Sequence, residues 1–86
     1  MSRKYQIPIE VIERRFRAKQ NQSGEAIIAD RIIVVDPRQS AKERMDTLVH
    51  EALHIIFPML GEHKVILASR QISRVLWKQS YRRICQ

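Results

Sequence analysis

Two histidines four residues apart, with a glutamate directly after the first, bound the segment His50-Glu51-Ala52-Leu53-His54. On a helix, residues four apart lie about 40° apart around the axis and one turn apart along it. His50 and His54 then project side by side. Two imidazoles so placed can occupy adjacent corners of a zinc tetrahedron, with Zn–N distances of about 2.0–2.1 Å. Glu51 points about 100° further round. It is badly oriented to join them as a ligand, but its carboxylate can reach a water held beside the metal, the position of a general base. The plainer alternative is a helix edge that carries two histidines, one of them hydrogen-bonded to backbone.

A catalytic zinc takes three protein ligands and keeps one open position. After His54 the chain offers only Glu62, His63 and Cys85 as further side-chain ligands. Glu62 and His63 lie just past the Pro58–Gly61 turn, where a second helix folding back would bring them toward the pair. Glu62 is favoured, because two histidines and a glutamate are a known catalytic zinc set. A glutamate in a first helical turn is also ordinary macrodipole placement. His63 is the alternative third ligand, or else an exposed histidine or a group that steadies the oxyanion. Asp46, one turn before His50, could orient a ligand. Cys85 has no histidine near it in sequence and reads as incidental.

The elements that must hold these residues are partly visible. Ser40 followed by Glu43 forms a capping box, and a helix is expected over 41–57, stopped by Pro58. Its apolar stripe is Met45, Leu48, Val49, Ala52, Leu53 and Ile56. After Gly61 a second helix is expected over 62–83. Val65, Ala68, Ile72, Val75 and Leu76 lie on one side of it, and Arg70, Arg74, Lys78 and Arg82 on the other. Upstream, the β-branched runs 26–28 and 32–35 flank Ala29-Asp30-Arg31 and read as a hairpin. Residues 21–24, Asn-Gln-Ser-Gly, read as a turn. Residues 7–20 are ambiguous. The pairs Glu10/Arg14 and Glu13/Arg17 and the face Ile9, Ile12 and Phe16 suit a helix, whereas the alternation of Ile7, Ile9 and Val11 suits a strand. The balance leans to helix.

The expected fold is a single α+β domain spanning residues 1–86: a small β-hairpin or meander packed on the helix that bears the two histidines and on a long C-terminal helix. At 86 residues and 44% hydrophobic composition the chain is globular rather than disordered. A domain of this size has little core to spare, so a metal or a partner would help to stabilise it. One cysteine excludes an internal disulfide and suits a cytoplasmic protein. No membrane span is expected, since the longest apolar stretch, 55–60, contains a proline and falls far short of about 20 residues. The N-terminus lacks the apolar run of a secretory signal.

The strand ending in Asp36-Pro37, the Thr47-Leu48-Val49-His50-Glu51-Ala52-Leu53-His54 helix and Glu62 after the turn together resemble the zincin (HExxH) metallopeptidases. The likeness is best to minigluzincins and to the minimal single-domain HExxH proteins of phages and prophages. It covers roughly residues 25–83, with HExxH as its specific motif. The metzincin pattern would need histidine at position 60, where the chain has Leu60, and the ExxxD pattern of gluzincins is broken by Ile66. The resemblance implies Zn2+ on His50 and His54, Glu51 activating water against a peptide carbonyl, and residues 32–35 as the edge strand that aligns an extended peptide or protein substrate. Tyr5, Tyr81 or Arg70 could stabilise the oxyanion.

With 16 Lys and Arg against 9 Asp and Glu, the net charge is +7. The Arg70, Arg74, Lys78 and Arg82 stripe, with Arg14, Arg15, Arg17 and Lys19, is either a solvated surface or a set of phosphate contacts to nucleic acid. Trp77 and Tyr81 lie close to it. The second functional reading is therefore a basic protein that keeps the zincin scaffold without turnover and binds nucleic acid or a host protein.

Overall fold

The computed structural model describes residues 7–17 and 22–81. Three strands and two helices follow one another along the chain: β1 (Glu10–Glu13), β2 (Gly24–Ile27), β3 (Ile32–Val35), α1 (Ala41–Ile56) and α2 (Glu62–Lys78). The fold is α+β, as expected. No helix among the described residues is long and apolar enough to cross a membrane.

β2 and β3 form the expected antiparallel hairpin, with Gly24 opposite Val35 and Ala26 opposite Ile33. The turn spans 28–31 and is closed by the Arg31 amide donating to the Ile28 carbonyl. Residues 7–17 correct the helical leaning: β1 is a strand that pairs parallel to β3, Val11 opposite Ile33. The sheet order is β1-β3-β2. β3 is thus the central strand, and among the described residues the free edges belong to β1 and β2. The expectation that 32–35 form the substrate-aligning edge is wrong, because both backbone flanks of β3 are already paired.

Over residues 7–17 a helix lost to contacts with distant residues; 18–20 lie outside the described residues. Glu13 pairs with Arg44 of α1 at 3.1 Å, and Arg14 with Glu25 of β2 at 3.7 Å. The strand also turns Ile9 onto the core formed by Ile33, Val35 and Ile55. The chain that leaves β1 is pinned by Asp36. Its buried carboxylate accepts from the Phe16 amide at 3.1 Å and from the Arg38 amide at 2.9 Å. The Arg38 guanidinium grips the same carboxylate and donates to the Phe16 carbonyl. Those bonds from Arg38 and Phe16 hold the Asp36 carboxyl well below the usual carboxylate range.

α1 begins at the Ser40 cap, whose hydroxyl accepts from the Glu43 amide and donates to the Glu43 carboxylate. It ends at Phe57, one residue before Pro58. Its sheet-facing residues are Leu48, Ala52 and Ile55, spaced as a helix requires. Ile55 is the buried one, although the stripe read from sequence passed it over. That stripe is wide because α1 packs against the sheet on one side and α2 on the other.

α2 differs more. Its buried residues are Val65 and Ser69, while Ile72 and Val75 are exposed. The packed face is rotated from the most apolar one. Serines let the two helices approach, and their hydroxyls are satisfied: Ser69 bonds the Ile66 carbonyl, and Ser73 donates to Asp46 of α1 at 3.1 Å. α2 stops at Lys78, short of the expected 83. Ser80 adopts φ 65°, and the amides of Ser80 and Tyr81 donate back to the carbonyls of Trp77 and Leu76. That is a Schellman motif built on serine instead of glycine.

Candidate metal centre

The two helices meet at one end of the molecule, where α1 finishes and α2 begins. The helical pitch sets His50 and His54 side by side, with ring centroids 4.9 Å apart and planes at 66°. The 57–61 turn then reverses the chain and delivers Glu62, in the first turn of α2, onto both rings. Its Oε1 lies 2.8 Å from His50 Nε2 and its Oε2 2.9 Å from His54 Nε2. The two Nε2 atoms are 3.2 Å apart. Both histidines are about four-fifths buried, whereas the Glu62 side chain is 61% exposed.

These three residues form a group that could hold a metal ion. In a tetrahedral zinc site with bonds of about 2.0–2.1 Å, neighbouring ligand atoms are about 3.3 Å apart. The His50–His54 separation is close to that edge. The carboxylate contacts are a few tenths of an ångström shorter, so a small outward movement of exposed Glu62 would accommodate an ion. The donor set of two imidazoles and one carboxylate also fits zinc chemically. Protein-family models, characterised proteins and solved structures were compared with this chain. None matches it.

Glu51 occupies the side of α1 that faces β2. Gly24 makes room for it: a Cβ at position 24 would collide with Thr47 Cγ2 and press on the Glu51 side chain, 3.3 Å from Oε2. Burial raises the Glu51 carboxyl above the ordinary range. His50 and His54 oppose that shift, while Glu62 and Glu25 add to it. A cavity of about 240 Å³ opens beside Glu51 and His50, walled by Gln22, Ser23, Gly24, Asp46 and Thr47.

Glu62 is the residue that joins the histidines. His63 is exposed and lies outside the group. Asp46 is committed to Ser73, and no hydrogen bond joins it to His50 among the described residues. Arg70 is eight residues beyond Glu62, about 12 Å along α2, and Tyr81 follows the far end of that helix. Neither is brought to the histidines. Tyr5, Lys19, Arg82 and Cys85 lie outside the described residues. Gly24 and Thr47 were not foreseen: Gly24 read only as part of a turn, and its closeness to Glu51 depends on sheet-to-helix packing.

Proposed function

We propose that the chain is a zinc-dependent metallopeptidase-like hydrolase of the minimal zincin type. The observation that carries this reading is the convergence of His50, His54 and Glu62, with the two imidazole nitrogens separated by nearly the edge of a zinc tetrahedron. Zinc held there would supply Lewis-acid chemistry, polarising a peptide carbonyl and acidifying a water.

The remaining chemistry belongs to the chain. Glu51 stands one residue from His50, half-buried, with a carboxyl whose proton affinity is raised by desolvation. A base whose pKa moves toward working pH binds and releases a proton more effectively. Glu51 takes the proton from the attacking water and returns it to the leaving amine. β2 replaces β3 as the aligning strand. It is an edge strand, and its first residue, with Ser23 and Gln22, walls the cavity that reaches Glu51. An extended peptide paired with that edge would present its carbonyl to the site.

The test is hydrolysis of an unfolded protein by the zinc-loaded chain, with the new peptide termini read by mass spectrometry. Glu51→Ala should keep zinc and lose cleavage by at least about 100-fold, the usual weight of a general base. Cleavage at the wild-type rate in Glu51→Ala would refute the assignment of Glu51. Zinc binding without cleavage by the wild type would leave the non-hydrolytic scaffold.

A further inference from the structure

A second concavity lies away from the histidines, between the first turns of α1 and the last turns of α2. It has a volume of about 470 Å³ and is lined by Lys42, Met45, Asp46, Arg70, Arg74 and Trp77, among others. Glu43 and Lys78 also line it. The size falls within the usual range of ligand sites, about 300–1,000 Å³.

The charges of this groove do not cancel. Glu43 is engaged with Ser40 in the helix cap, and Asp46 accepts from Ser73. Lys42, Arg70, Arg74 and Lys78 form no ion pair among the described residues. Lys42 comes from α1 and the other three from α2, so cations stand on both walls. Between them lie the partly buried Met45 and Trp77. Arg70, Arg74 and Lys78 advance by about 6 Å per step along α2, a repeat suited to successive phosphates of an extended strand. Unpaired cations along a groove with an indole in its lining are the recipe for sequence-tolerant binding of single strands, in which bases stack on the aromatic side chain.

We propose that this groove binds single-stranded nucleic acid, with Lys42, Arg70, Arg74 and Lys78 on the phosphates and Trp77 against a base. A duplex is a poorer fit, because its bases are stacked on each other and cannot reach the indole. The site is independent of the metal centre and does not depend on the hydrolase reading.

The test is titration of the full chain with a short oligothymidine, following Trp77, the only tryptophan in the protein. Indole emission should be quenched on binding. The affinity should fall with salt, and Arg74→Ala should flatten the slope of log K against log salt by about 0.7, the share of one phosphate contact on a single strand. By anisotropy of a dye-labelled oligothymidine, Trp77→Phe should retain binding better than Trp77→Leu, since only the former keeps a stacking face. His54→Ala, which removes the proposed metal, should bind as the wild type does. Three results would overturn the proposal: no binding at low salt, a salt slope unchanged in the Arg70→Ala/Arg74→Ala variant, or equal binding of duplex or polyglutamate without quenching.

Discussion

Glu51 is held at some cost. Its carboxyl is moved from solvent into a half-buried position beside β2, and its pKa is raised mainly by desolvation. A carboxylate with a raised folded-state pKa weakens the fold at neutral pH, because ionising it costs more in the folded chain than in the unfolded one. The penalty fades as pH falls through that raised value toward the unfolded value of about 4.3. Glu51→Gln should therefore raise the thermal midpoint of the metal-free protein at pH 7, and the gain should vanish near pH 4. Thermal melts in chelator at the two pH values decide this, and an equal gain at both would point to packing instead of charge. The identity of this residue was legible in the sequence because a motif spanning a single turn needs only helical pitch to assemble it. Glu62 was legible by scarcity, being the only carboxylate side chain after His54. That Asp46 would bond Ser73 rather than a histidine was not, because the bond crosses between helices.

At the scale of elements, β2 comes close against α1 at Gly24. Gly24→Ala would drive a methyl into Thr47 and displace Glu51. It should cost about 1–3 kcal/mol, as overpacking does, and should lower turnover while zinc remains bound. Thr47→Ser removes the obstructing Cγ2, so the double variant should recover much of the lost stability. Chemical denaturation of the two single variants and the double variant measures this, and strict additivity would contradict the contact. The end of α2 offers a separate gain. Ser80 holds a left-handed conformation that costs a non-glycine residue about 1–2 kcal/mol. Ser80→Gly should stabilise by about 0.5–1 kcal/mol after the extra unfolded-state entropy of glycine is subtracted, as an upward shift in denaturation midpoint would show. The hairpin and α1 were legible because β-branched runs and a serine cap are local signals. β1 was not, since its strand state is fixed by pairing with β3 some 20 residues on. The packed face of α2 was missed for another reason: small serines, not the larger Ile72 and Val75, turned out to face α1.

Across the whole molecule the two helices do separate work. Their meeting end assembles His50, His54 and Glu62. Near the other end they leave the groove of Lys42, Arg70, Arg74 and Trp77. Asp36 and Arg38 tie the crossing segment after β1 to the loop before α1, so the sheet that supports Glu51 is fixed to the helix that bears it. A metal held there would add to a small core: an ion at 100 times its dissociation constant would stabilise the fold by about 2.7 kcal/mol. Zinc content of the purified, zinc-equilibrated chain by elemental mass spectrometry, beside His54→Ala, Glu62→Ala and His63→Ala, tests the centre most directly. About one zinc per chain is predicted, as for one site built from one such ligand set, lost in His54→Ala, weakened in Glu62→Ala and unchanged in His63→Ala. A wild-type chain that takes up no zinc, or one whose zinc survives His54→Ala, would contradict it.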